Sequence, residues 1–151
     1  FVYGILRPLH GRIETLIGRN KTNRQKMSAD VAKGKKAITN YETLEVFKGS
    51  KILDISLVKC MLETGRTHQI RVHMSHKGNP ILGDQTYGKK IKKLRGVDQE
   101  FEDILKSLKR QALHAHTLGF VHPKTNQDVF YASELPEDLN KLKNRLETLK
   151  N

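Results

Sequence analysis

The stretch Lys36-Ala-Ile-Thr-Asn-Tyr-Glu-Thr-Leu-Glu-Val-Phe47, followed by Lys48-Gly-Ser50 and then Lys51-Ile-Leu-Asp-Ile-Ser-Leu-Val-Lys-Cys-Met-Leu-Glu63, decides the fold class. On both sides of the Lys48–Ser50 turn, β-branched and aliphatic residues recur with a period near two, which predicts two strands joined as a hairpin. Gln111–Val121 and Asp128–Ala132 predict a second hairpin through His122-Pro-Lys-Thr-Asn-Gln127, closing the sheet. Phe1-Val-Tyr-Gly4 reads as another strand, and Gly11–Lys36, rich in Arg, Lys, Asn and Gly, reads as a surface excursion between strands. Phe101, Ile104, Leu105 and Leu108 recur at i, i+3, i+4 and i+7, the stripe of an amphipathic helix. Pro136-Glu-Asp138 gives a helix start with acids in its first turn, and Leu139, Leu142, Leu146 and Leu149 supply the apolar face. Thr67–Gly78 fits a strand by the alternation of Ile70, Val72 and Met74, but Thr67 and Gly78 stand where caps belong, and a short helix is favoured. Strands paired as hairpins, with helices that do not alternate with them one for one, predict an α+β domain over residues 1–151: a mostly antiparallel mixed sheet with flanking helices.

Lys and Arg number 28 against 16 Asp and Glu, a net charge of +12 that points to a polyanionic partner. Residues 1–36 hold nine basic side chains against Glu14 and Asp30, and Lys89, Lys90, Lys92, Lys93 and Arg95 form a second run without an acid. Charge alone fits a solvated loop as well as a phosphate-binding one. With Cys60 as the single cysteine, an intrachain disulfide and a multi-cysteine zinc site are excluded, and a reducing cytoplasm is expected. No run approaches the roughly 18 apolar residues of a membrane span, and no signal peptide pattern opens the chain. His68, His73 and His76, spaced i, i+5 and i+8, do not share a helical face as a metal site requires. His114 and His116 are expected on one face of a strand. Glycine-rich phosphate loops are missing, which removes the usual support for nucleotide triphosphate or dinucleotide chemistry.

Leu62-Glu-Thr-Gly-Arg-Thr-His-Gln-Ile-Arg-Val-His-Met74, followed by Gly78-Asn-Pro-Ile-Leu-Gly-Asp-Gln-Thr-Tyr87, resembles the hallmark of the RluA family of RNA pseudouridine synthases. Lys33-Gly-Lys-Lys-Ala-Ile-Thr-Asn-Tyr41, Arg110-Gln-Ala-Leu-His-Ala115 and Phe120-Val-His-Pro123 extend the resemblance in order along nearly the whole chain. The Arg110–Ala115 block is most similar to the RluD/RluC-like branch, which implies large-subunit ribosomal RNA as partner and substrate. The family resemblance implies conversion of uridine to pseudouridine within RNA, with no cofactor and no metal. It also implies a flipped target base, whose unstacking costs a few kcal/mol.

In that family the nucleophile is the aspartate of a His-Arg-Leu-Asp motif, which occurs nowhere in these 151 residues. The strand-like, Met-less opening at Phe1 leads us to expect a piece of a longer protein whose nucleophile lies upstream, so that this segment alone is inactive. The resemblance assigns Arg71 as the catalytic arginine beside that aspartate, because a guanidinium can hold a carboxylate bidentately and keep it ionised. Arg66, His68 and Gln69 are expected to support the pocket or the RNA backbone, and Ile81 and Leu82 to form an apolar wall against the base, with a helix cap for Gln69 and core packing for Ile81 and Leu82 as the alternatives. Arg19, Arg24, Lys35, Lys36, Lys89, Lys90, Lys92 and Lys93 are the candidate RNA contacts. Asp84 reads as a turn-stabilising carboxylate. The competing class is a non-catalytic, ribosome-associated RNA-binding domain using the same basic surface. The fixed Gly65-Arg-Thr-His-Gln-Ile-Arg71 arrangement favours the enzyme, since phosphate binding alone does not need it.

Overall fold

The computed structural model describes residues 1–88 and 96–150. Its strands are β1 (Val2–Tyr3), β2 (His10–Arg19), β3 (Met27–Ser28), β4 (Lys35–Phe47), β5 (Ile55–Leu62), β6 (Thr117–Val121) and β7 (Asp128–Ala132). Its helices are α1 (Gln69–His76), α2 (Gln99–Ser107) and α3 (Glu137–Leu149). The first five strands form one sheet in the order β1-β5-β4-β2-β3, with every described pair antiparallel. This is the α+β class that the hairpin pattern predicts.

The β4–β5 hairpin forms with a longer connection than the expected Lys48–Ser50 turn, because β5 starts only at Ile55. Residues 51–54 serve other elements. The Lys51 carbonyl accepts from Asp98 N–H at 2.8 Å, Ile52 turns into the core, and the Asp54 carbonyl accepts from Gly4 N–H at 2.7 Å. A larger correction concerns Gly11–Lys36. Its first part is not an excursion but the ten-residue strand β2, paired with β4 from His10↔Glu42 to Ile17↔Lys35. Thr15 and Ile17 are buried while Arg12, Glu14 and Leu16 are exposed, so period two is present beneath the charges. Arg12 pairs with Glu14 and Glu63, and Lys36 Nζ lies 2.6 Å from Glu14. The basic excursion is confined to residues 20–34.

The second hairpin also departs from expectation. β6 and β7 pair with each other as a separate two-stranded sheet, and residues 111–116 are not strand. Ala112 N–H instead donates to Leu82 O at 2.7 Å, and His114, half-buried, and His116, exposed, contact the Ser133 carbonyl at 3.3 and 2.6 Å.

α2 and α3 cover the sheet at one end. Asp98 caps α2 by accepting from Phe101 N–H at 2.8 Å and takes the Arg145 guanidinium of α3 at 2.9 and 2.6 Å, joining the two helices. Leu139, Leu142 and Leu146, the expected apolar face of α3, enter one core cluster with Phe1, Leu6, Phe47, Ile55, Met74 and Phe101. A smaller cluster of Ile17, Ala37 and Val72, with Met27, Ala29 and Tyr87 against it, lies between α1 and the β2 side of the sheet.

Candidate functional site

α1 resolves the ambiguity of Thr67–Gly78 in favour of helix, with His68 rather than Thr67 at its N-cap and Gly78 at φ +87° just past its end. Alternation of Ile70, Val72 and Met74 would have suited a strand, but Gln69, Val72, His73 and Met74 are the buried positions, a helical face. Buried Gln69 locks the approach to this helix. Its side-chain carbonyl accepts from Thr64 Oγ1 at 2.7 Å and Arg66 N–H at 2.9 Å, while its amide donates to Ile38 O at 2.9 Å and Thr39 Oγ1 at 3.0 Å. His73, fully buried, sits between Thr39 Oγ1 at 2.8 Å and Thr15 Oγ1 at 3.0 Å, tying α1 to β4 and β2. Burial, and then the neighbouring His76, push its pKa down to about 4.

The outward side of α1 carries Arg71. Its Nε and Nη2 donate to the two carboxylate oxygens of Asp84 at 2.7 and 2.9 Å, a bidentate pair in which the Asp84 side chain has no solvent exposure and that of Arg71 has 13%. Asp84 Oδ1 also accepts from Thr86 N–H at 2.9 Å and Tyr87 N–H at 3.0 Å, so the expected turn-stabilising role coexists with the ion pair. Burial alone would raise the Asp84 carboxyl, but Arg71 and the two backbone donors outweigh it and hold the group below the usual carboxylate range. The turn needs glycine on both sides. Gly83 has φ +71° and a Cβ there would strike the Arg110 carbonyl, while a Cβ on Gly88 would strike the Asp84 carbonyl.

Tyr87 completes the group. Its ring centroid lies 4.9 Å from the Arg71 guanidinium carbon, and its hydroxyl is 2.9 Å from both His68 Nδ1 and the Met27 backbone nitrogen. His68 adopts φ +57°, a left-handed conformation unusual for a side chain of this size. Burial first, then the Arg71 charge, lower its pKa and so favour the neutral ring. Arg71 Nη1 and His68 Nε2 have no hydrogen-bond partner among the described residues. The arrangement therefore offers a fixed cation and a neutral imidazole, with the 20–34 segment anchored beside them through Met27.

The family model for RNA pseudouridylate synthase matches residues 4–76, running from just after β1 to the end of α1. The chain is 40% identical over 132 residues to ribosomal large subunit pseudouridine synthase D of Zymomonas mobilis, covering 87% of this chain and 38% of that protein. The chain belongs to the RNA pseudouridylate synthase family. An uncharacterized RNA pseudouridine synthase of Bacillus subtilis is 42% identical over 141 residues, which are 93% of this chain and 40% of that one. The chain thus spans about two fifths of the length of these pseudouridine synthase relatives. The solved structure of human RNA pseudouridylate synthase domain containing 1 superposes with a TM-score of 0.68 at 25% identity, covering 99% of this chain and 64% of that one. The RluA-type resemblance of the sequence is borne out.

Within the pseudouridylate synthase framework, the predicted site residues separate. Arg71 and His68 come together around Tyr87. Gln69 turns away to β4, and Arg66 Nε donates to Lys36 O at 2.9 Å, bridging the loop before α1 to the start of β4. Of the two readings for Ile81 and Leu82, a wall against the base or core packing, they take the second in this chain, being 2% and 0% exposed and part of the main core. Ile81 bridges to Val2, and Leu82 N–H donates to Phe1 O at 2.9 Å, so strand β1 covers that wall. Among the candidate RNA contacts, Arg19, Arg24 and Lys35 are exposed around the 20–34 segment. Arg19 Nη1 donates to Arg24 O at 3.0 Å, and Lys36 is exposed but engaged by Glu14. Lys89, Lys90, Lys92 and Lys93 lie outside the described residues. Sequence reasoning gave Tyr87 no role. Its place three residues after Asp84 was the available signal, since a turn of that length returns the tyrosine over the arginine that the aspartate holds.

No helix among the described residues is long and apolar enough to cross a membrane.

Proposed function

We propose that this chain is the C-terminal part of the catalytic domain of an RNA pseudouridine synthase, acting on large-subunit ribosomal RNA in the cytoplasm. The observation that carries the reading is Arg71. Its Nε/Nη2 edge is fixed by a fully buried Asp84, which leaves the Nη1 corner of a preoriented cation available to a second carboxylate. A nucleophilic aspartate must stay ionised beside a neutral uracil, and a guanidinium already immobilised by one carboxylate can stabilise another without further loss of side-chain freedom. That aspartate belongs to a His-Arg-Leu-Asp segment outside these 151 residues. Support comes from the absence of the motif here and from relatives more than twice as long. The net charge of +12 and the exposed Arg19, Arg24 and Lys35 suit the RNA backbone. The aspartate would attack the uridine, the N-glycosidic bond would break, and the base would rejoin through carbon.

Tritium release from 5-tritiated uridine RNA tests this. A polypeptide with the full length of the relatives is expected to turn over, and this chain alone is not. Arg71→Lys in the longer polypeptide keeps the charge but loses the fork, and should cut the saturated single-turnover rate at least tenfold with little change in RNA affinity. Turnover by the 151-residue chain would overturn the placement of the nucleophile. An Arg71→Lys effect confined to affinity would make Arg71 a phosphate contact.

A further inference from the structure

The hydroxyl of Tyr87 has one hydrogen and two close partners. The Met27 backbone N–H can only donate, so at 2.9 Å the phenol oxygen accepts there. The phenol hydrogen then has His68 Nδ1, also at 2.9 Å, as its acceptor. With Nδ1 receiving that hydrogen bond, a neutral imidazole carries its own proton on Nε2. The opposite arrangement, Nδ1–H donating to the phenol, would leave the phenol hydrogen without an acceptor among the described residues. The rings meet edge to face, with centroids 5.6 Å apart and planes at 73°, which fixes the imidazole plane as well as its tautomer. Tyr87 is itself held firmly. Its N–H donates to Asp84 Oδ1 at 3.0 Å, its carbonyl accepts from Ser75 Oγ at 3.2 Å, and Arg71 lies over its ring.

We propose that Tyr87 is a positioning residue that sets His68 as the Nε2–H tautomer and presents that N–H to an acceptor oxygen of the RNA strand. Through Met27 the same hydroxyl holds this donor in register with the basic 20–34 segment, so one phenol couples backbone docking to the Arg71 site. Both acceptors on RNA that suit the geometry, a phosphate oxygen and a pyrimidine carbonyl, share one chemistry. The inference rests on the RNA reading above for its ligand, but not for the tautomer.

Two measurements on this chain test it. Long-range proton–nitrogen NMR of the imidazoles is expected to show His68 with a bare Nδ1 and a protonated Nε2, and Tyr87→Phe to shift Nδ1 away from its hydrogen-bonded position. A protonated Nδ1 in the unsubstituted chain would overturn the proposal. Fluorescence anisotropy with a labelled uridine-containing RNA supplies the second readout. His68→Asn, whose amide falls near Nδ1, is expected to weaken binding roughly three- to tenfold, the size of one hydrogen bond. His68→Gln, whose amide reaches the Nε2 position, should stay within about twofold of the unsubstituted chain. Equal losses for both, or none for either, would overturn the donor role. Neither variant touches Met27, so the comparison holds even if Tyr87→Phe loosens the fold. Loss of the Asn penalty on methylphosphonate RNA identifies a phosphate acceptor, its loss on thiouridine RNA a base carbonyl, and persistence on both refutes the acceptor. Complete absence of RNA binding would remove the acceptor and the RNA reading together, whereas a wrong tautomer removes the role of Tyr87 alone.

Discussion

The β4–β5 hairpin and the β6–β7 hairpin are written in the same alternating residues, yet they meet opposite surroundings. Phe47 and Ile55 pair across the first and are fully buried, whereas Phe130 in the second is 71% exposed and its neighbours Leu118, Val121 and Tyr131 are 59% exposed. The first hairpin is flanked by β1 and β2 and covered by α1 and α3, so its apolar face and both edges are satisfied. Among the described residues, β6 and β7 pair only with each other. A two-stranded sheet is marginal in water without a third strand or a packed helix. Local pattern therefore specifies pairing, and the third layer specifies stability.

The largest way to sharpen that contrast is a matched pair of truncations. Phe47→Ala should lower the unfolding free energy by about 3–5 kcal/mol in urea denaturation, the cost of removing a buried aromatic ring. If it costs less than about 1 kcal/mol, the five-stranded sheet is not the stable unit. Next comes acid. His73 is neutral when folded, with a pKa near 4 against 6.5 in the unfolded chain. Above about pH 6.5 neither state is protonated and the residue contributes nothing to the pH dependence. Between pH 6.5 and 4 the unfolded chain takes up a proton that the folded one refuses, so stability should fall by about 2–3 kcal/mol and then level off. His73→Gln should remove that limb from a pH series of denaturation curves, and a limb that survives would place the titrating group elsewhere. Hydrogen exchange should separate the hairpins directly. Amides of β4 and β5 are expected to exchange only through global opening, and those of β6 and β7 by local fraying orders of magnitude sooner. The smallest effect is the partner of the first. Phe130→Ala should change stability by less than about 0.5 kcal/mol, and a core-sized loss would show that something covers this hairpin in solution.

The sequence revealed structure where one force acts alone. α2 and α3 were legible because their apolar stripes have no competing period, and the β4–β5 pairing because alternation runs through both strands. β2 was hidden because its outward positions are Arg12 and Glu14, whose charges resemble those of a loop until Lys36, Asn40 and Glu63 are brought alongside them from other strands. The strand read into residues 111–116 needed a neighbour that the fold does not provide. At the site, Arg71 was legible through its motif. Its engagement by Asp84 and the linkage of His68 to Met27 through Tyr87 were not, since no local period encodes a hydrogen bond between residues 60 positions apart.

α3 closes the core that Leu6 and Phe47 open, and Gly49 lies so close to the Leu149 carbonyl that no side chain fits between the hairpin connection and the helix end. On a ribosome, Phe47 emerges roughly 100 residues ahead of Leu146. At the usual pace of elongation that is an interval of about 5–20 s. Throughout it α1 can already settle on the hairpin, but the part of the apolar face that α3 covers stays open to water, so the core is sealed only when the last leucines of α3 leave the exit tunnel.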